Sequence, residues 1–150
     1  MVYAMRVEEV LSFGEYFKDS KFELKKPDLN NLDVRRSLGD NLYRPEGEGY
    51  IQLPSLHSFP DGRTNEAYMR RDLSGQRVLV GAEYYYFGID GEKIPENTDF
   101  LRVRRGHKCN FSLEETRKFL RYMEKLTPGV NGTPRDFEWA INRLRQSEQE

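Results

Sequence analysis

Residues 77–87 form an extended run that is apolar on both faces. Val78, Val80, Ala82, Tyr84 and Tyr86 project to one side, and Leu79, Gly81, Tyr85 and Phe87 to the other, because successive side chains alternate across a strand. A strand apolar on both sides needs cover on both, so this segment predicts a central strand with neighbours beside it and helices packed on it. Gly88 and Asp90-Gly91 end it in a turn. Val2-Tyr3-Ala4-Met5-Arg6-Val7 is a second, nearly unbroken apolar run, predicted to be a strand covered on both faces. Phe100-Leu101-Arg102-Val103-Arg104 alternates arginine with apolar residues and predicts a third strand.

Helices are announced by their starts. Ser12-Phe13-Gly14-Glu15 and Ser112-Leu113-Glu114-Glu115 both carry serine followed three residues later by glutamate, the capping-box pattern. The first opens a short helix with Phe13, Tyr16 and Phe17 on one face. The second opens a helix over about 112–126, with Leu113, Thr116, Leu120, Met123 and Leu126 as its apolar stripe. Thr133-Pro134-Arg135-Asp136 places a cap residue, a first-turn proline and an acid ahead of a closing helix over about 134–146, with Phe137, Ala140, Ile141 and Leu144 inward. Between these ends, residues 18–76 are read as an irregular middle, with one short strand at 49–53 and a turn at Pro60-Asp61-Gly62. The fold predicted is α+β: a small mixed or largely antiparallel sheet with helices packed beside it, in a single domain over 1–150.

Composition narrows the function classes. A chain of 150 residues buries roughly 70% of its unfolded surface, enough for a hydrophobic core. No apolar run approaches the length of a membrane helix, and no basic-then-apolar leader opens the sequence, so no membrane partner is expected. One cysteine, Cys109, rules out an internal disulfide framework and predicts a reducing, cytoplasmic setting. With two histidines, no paired cysteines, no glycine-rich phosphate loop and no nucleophile elbow, neither a metal nor a cofactor is expected. The formal charge of −1 is a cancellation: residues 90–99 are acidic, while 101–126 hold eight lysines and arginines against three glutamates.

Three constellations can carry chemistry. Arg102, Arg104, Arg105, His107 and Lys108 precede the helix start at Ser112 and suit an anion, since guanidinium groups clasp phosphate at two points and helix-start amides point at the same place. The plainer alternative is a solvated basic edge strand. The aromatic run Tyr84-Tyr85-Tyr86-Phe87 can stack on a nucleobase through one of its faces, Tyr85 with Phe87 or Tyr84 with Tyr86, or it can simply pack the core. The irregular middle gathers Asp40, Asn41, Tyr43, Gln52, Ser55, His57, Ser58 and Asp72, polar groups that can read a ligand's edges; His57 or His107 can act as acid or base with Asp40 or Asp72 orienting it. Turn chemistry explains the same residues without a ligand.

Several of these segments, in order, resemble a known family. Val2–Val7, Phe13-Gly14-Glu15-Tyr16-Phe17, Gly39-Asp40-Asn41-Leu42-Tyr43 and Gln52-Leu53-Pro54-Ser55-Leu56-His57-Ser58 are followed by Asp72-Leu73-Ser74-Gly75 and Val78-Leu79-Val80. Tyr84–Gly88, Ile94-Pro95 and Arg105-Gly106-His107-Lys108 before Asn110-Phe111 complete the set. Together they resemble the second type of nucleotide-modification-associated domain, a bacterial and phage family. The resemblance implies association with systems that alter or handle modified bases in DNA, and it raises Asp40, Asn41, Tyr43, His57, Asp72, Arg105, His107 and Lys108 without assigning any of them a reaction. It also implies an amino-terminal segment ahead of the first strand, which this sequence does not show.

The expected function is accordingly binding of a nucleotide or of a modified base in DNA. Arg102, Arg104, Arg105, His107 and Lys108 would hold phosphate, with Asn41, Tyr43, Tyr85 and Phe87 as base-binding candidates. One alternative is an enzyme acting on a nucleotide or base through His57 or His107. The other is a protein-interaction module without a small-molecule site.

Overall fold

The computed structural model describes residues 1–31, 33–102, 108–134, 138 and 140–142. In chain order the described elements are β1 (Tyr3–Met5), β2 (Glu9–Leu11), α1 (Phe13–Lys18), a 3-10 turn (Ser20–Lys25), α2 (Val34–Leu38), β3 (Tyr43–Glu46), β4 (Gly49–Gln52) and α3 (Glu66–Asp72). They continue with β5 (Val78–Val80), β6 (Tyr84–Tyr86), a second 3-10 turn (Glu96–Leu101), α4 (Leu113–Met123) and β7 (Gly129–Val130). The protein is an α+β chain with small antiparallel and mixed sheets. It forms two compact units: one from Met1–Arg6 with Ala82–Arg135, the other from Val7–Gly81 with Asp136–Glu150.

The first unit carries a three-stranded sheet, β1-β6-β7. Tyr3 pairs with Tyr86 and Met5 with Tyr84 in antiparallel register, and Tyr85 and Tyr86 run parallel to Gly129 and Val130. Its core is Tyr85, Phe87, Tyr122 and Met123, with Met1, Ala4, Phe119 and Leu126 against it. Helix α4 begins as its capping box directs, with the Ser112 side chain accepting from Glu115 N–H and the Glu115 side chain from Ser112 N–H. Its buried face is centred on Tyr122 and Met123, however, whereas Leu113 and Leu120 of the expected stripe are 77% and 53% exposed. Large aromatics at 119 and 122 fill the space beside β6 and set the helix rotation.

The second unit holds two antiparallel strand pairs, the long-range pair β2-β5 and the hairpin β3-β4. Its core joins Val34, Leu56 and Ala140, flanked by Leu38 and Ile141. Ala140 and Ile141 therefore face inward as the closing helix pattern predicts.

Three expectations change. The run 77–87 is two strands, not one: β5 pairs with β2, β6 with β1, and Gly81-Ala82-Glu83 breaks between them. Period-two alternation marks which faces are apolar but carries no information on where the pairing partner changes. The 2–7 strand is short and largely exposed at Val2, Tyr3 and Val7 instead of covered on both faces. Residues 100 and 101 close a 3-10 turn that begins after Pro95, where the buried Thr98 hydroxyl donates to the Pro95 carbonyl at 2.7 Å; no strand forms there. Residues 103–105 of that segment lie outside the described residues.

Candidate functional site

The irregular middle is organised by polar contacts in the second unit. Tyr43 opens β3 and faces Gln52 across the hairpin. The strand tolerates Pro45, whose missing N–H is harmless on an edge. Both Tyr43 and Gln52 are buried, and each ties the hairpin to one end of α3. The Gln52 carboxamide oxygen accepts from Asn65 N–H at 2.8 Å, and Asn65 is the N-cap of α3, its side chain accepting from Tyr68 N–H. The Tyr43 hydroxyl donates to Asp72 Oδ2 at 2.7 Å, in the last turn of the same helix. Burial, then the Asp72 carboxylate, raise the Tyr43 phenol well above its ordinary value; the Gln52 amide beside it offsets a little of this. Gln52, 6% exposed, keeps its Nε2 buried and without a hydrogen-bond partner among the described residues.

The next segment turns on its own serines. The buried Ser58 hydroxyl accepts from Ser55 N–H at 3.1 Å and donates to the Ser55 carbonyl at 2.8 Å, while the Ser55 hydroxyl accepts from His57 N–H at 3.1 Å. This turn holds His57 with its ring centre 6.2 Å from that of Tyr68. The Arg71 guanidinium lies 4.5 Å from the Tyr68 ring centre, and its Nε donates to Asp72 Oδ1 at 3.3 Å. His57, Tyr68, Arg71, Asp72, Tyr43 and Gln52 thus form one run of contacts drawn from β3, β4, the serine turn and α3.

Asp40 and Asn41 do different work. Asp40 Oδ1 accepts from the Tyr16 hydroxyl at 2.6 Å, and Lys25 Nζ stands 3.7 Å from its other oxygen. Asn41 is buried and donates from Nδ2 to the Tyr16 carbonyl at 3.1 Å, while its backbone N–H donates to the Lys25 carbonyl. These bonds fasten α1, the first 3-10 turn and the 39–41 loop together. Burial and the bond to Asp40 push the Tyr16 phenol far above its ordinary value. Both carboxylates expected to orient a histidine, Asp40 and Asp72, accept hydrogen bonds from tyrosines.

In the first unit, Arg102 pairs with Asp99 at 3.0 Å. Lys108 pairs with Glu115 at 3.2 Å and sits 4.7 Å from the Phe111 ring centre. Arg104, Arg105 and His107 lie outside the described residues. Tyr85 and Phe87 are buried against Tyr122 and Met123, and Tyr85 donates to Glu83 at 2.9 Å. Among the described residues no group of three His, Cys, Asp or Glu side chains is placed to hold a metal ion.

Tyr68 and Asn65 escaped the sequence reading, which had Arg71 only as the start of the Arg71–Gly75 stretch. Their signal was present: Asn65 ahead of Glu66 is an N-cap pattern, and Tyr68 and Arg71 are three apart on one helix face.

The family description nucleotide modification associated domain 2 matches residues 1–143. The chain belongs to that family. The match runs through both compact units and covers the three segments, 39–43, 52–58 and 72–75, that meet around Tyr43 and Asp72. No curated protein and no solved structure matches this nucleotide-modification-associated domain. No described helix in it is long and apolar enough to cross a membrane.

Proposed function

We propose that this nucleotide-modification-associated domain binds a nucleotide or modified base, and that the base sits on the second unit beside His57, Tyr68, Arg71 and Asp72. The observation that carries this reading is the convergence of residues 39–43, 52–58 and 72–75, far apart in sequence and all within the matched span, on the Tyr43–Asp72 hydrogen bond. The arrangement supplies what base recognition requires: an exposed aromatic ring, a guanidinium for phosphate and a carboxylate fixed by two donors. The phosphate role of Arg102, Arg104, Arg105, His107 and Lys108 is a separate proposal for the first unit. We also keep residues 1–150 as a single module in the family sense.

Calorimetric titration with deoxynucleoside monophosphates, bearing unmodified and 5-substituted bases, tests this. Saturable binding that weakens in His57→Ala, with far-UV dichroism unchanged, is the expected result. No saturable binding to any of them overturns it.

A further inference from the structure

We infer that the ligand surface of the second unit is built for unpaired bases of single-stranded DNA, an inference that rests on the base-binding reading above. Two exposed aromatic rings belong to the segments that form it or adjoin them in the chain: Phe59 at 43%, directly after the serine turn, and Tyr68 at 37%, on α3. Each carries an arginine over its ring, Arg63 at 5.5 Å from the Phe59 centre and Arg71 at 4.5 Å from the Tyr68 centre. A ring has two faces, and a guanidinium fills one; the other can take a base. His57 links the two pairs, two residues before Phe59 in the chain and with its ring beside Tyr68.

Surface aromatics interleaved with arginine are what a strand with unstacked bases needs, because every base has a π face and the guanidinium can reach the adjoining phosphate. Bases in a duplex are already stacked on one another and cannot lie on these rings without being extruded. The charge pattern sharpens the point. Arg63 is paired with Asp61 and Arg71 with Asp72, so the surface carries little net positive charge. Binding here must come from stacking more than from phosphate neutralisation. With at most two phosphates engaged, the logarithm of affinity should fall with the logarithm of salt at a slope no steeper than about −1.4.

Fluorescence anisotropy with a labelled oligothymidylate of about ten nucleotides, a length within the usual site size, and with its oligoadenylate duplex tests this. The single strand should bind at least tenfold more tightly than the duplex, with the shallow salt slope. Phe59→Ala and Tyr68→Ala should each weaken it by roughly tenfold or more, the loss of one stacked base; Tyr68→Phe should recover most of what Tyr68→Ala loses. Equal or tighter duplex binding, a steep salt slope, or alanine variants that are folded by dichroism and bind as the parent does would each overturn the inference. If monophosphates still bind in that case, the base-binding reading stands and only the single-strand assignment falls. If neither monophosphates nor strand bind, both fall.

Discussion

The Tyr43 hydroxyl lies 2.7 Å from Asp72 Oδ2, and the Gln52 side-chain oxygen 2.8 Å from Asn65 N–H, so paired residues of one hairpin grip opposite ends of α3. Losing the Tyr43 bond leaves Asp72 with Arg71 and with water, since its carboxylate is partly exposed. Tyr43→Phe should therefore destabilise the second unit by about 1.5 kcal/mol, the lower end for a lost hydrogen bond to a charged group. Asp72→Ala should cost more, roughly 2 kcal/mol, because it strands a buried phenol. Urea denaturation of both single variants and the double variant gives the coupling. Strict additivity would mean that the two groups do not interact.

Alkaline stability follows from the same bond and its counterpart at Tyr16 and Asp40. Both phenols have folded-state pKa values raised above the ordinary 10 by burial and by a carboxylate acceptor. A raised value means that the folded state keeps its proton where the unfolded state loses it. The stabilisation is full below pH 10 and is lost as pH climbs from there toward the folded values. Absorbance at 295 nm should show Tyr16 and Tyr43 ionising only as the chain unfolds, and Tyr16→Phe with Tyr43→Phe should flatten the fall in denaturation midpoint above pH 10. A midpoint as steep in the double variant as in the parent would contradict the assignment.

What could be read from the sequence was what is local. The two capping boxes and the inward Ala140 and Ile141 depend on residues a few positions apart, and they hold; of the two apolar faces read over 78–87, Tyr85 and Phe87 are buried while Leu79 is exposed. The polar residues at 40–43, 52–58 and 72 stand out as a group, yet their pairing rests on a hairpin around Gly47 that Pro45 conceals. The short helices α2 and α3 span too few residues to show a period, so only their caps, Asp33 and Asn65, give them away. Arg71 gains its place at the site only when the end of α3 meets β3, a contact set by tertiary packing.

The capping boxes predict an acid limb. The Glu15 carboxylate accepts from Ser12 N–H and the Glu115 carboxylate from Ser112 N–H, each at 2.7 Å. These backbone bonds hold both carboxyls below the ordinary 4.5. Lowered folded values mean that the stabilisation is present above pH 4.5 and disappears as pH falls through the folded values. Dichroism at 222 nm should lose helix signal in that window, and Glu115→Gln, which can still cap but cannot titrate, should lose less. Ser112→Ala should destabilise α4 by about 1 kcal/mol at neutral pH.

Three glycines separate backbone conformation from close approach. Gly47 has φ 56 and open space where a Cβ would go, Gly132 has a Cβ position 2.1 Å from the Phe87 carbonyl oxygen, and Gly88 combines φ 61 with a Cβ position 2.1 Å from the Thr133 carbonyl oxygen. The last two lie where residues 87–88 run against 132–133, held by Asn131 N–H to the Tyr86 carbonyl at 2.7 Å and Ile89 N–H to the Thr133 carbonyl at 3.1 Å. Backbone cannot step aside as a flexible side chain can, so a methyl group there must push hydrogen-bonded segments away from each other beside the Phe87 core. Gly47→Ala should cost only the left-handed penalty of about 1–2 kcal/mol. Gly132→Ala should cost about 4 kcal/mol or more, the range reserved for a forced clash, and Gly88→Ala more again. Hydrogen exchange should place the damage in β6 and β7 for Gly88 and Gly132, and in the β3–β4 hairpin for Gly47. A mild Gly132→Ala would show that residues 87 and 132 do not meet as closely as this packing requires.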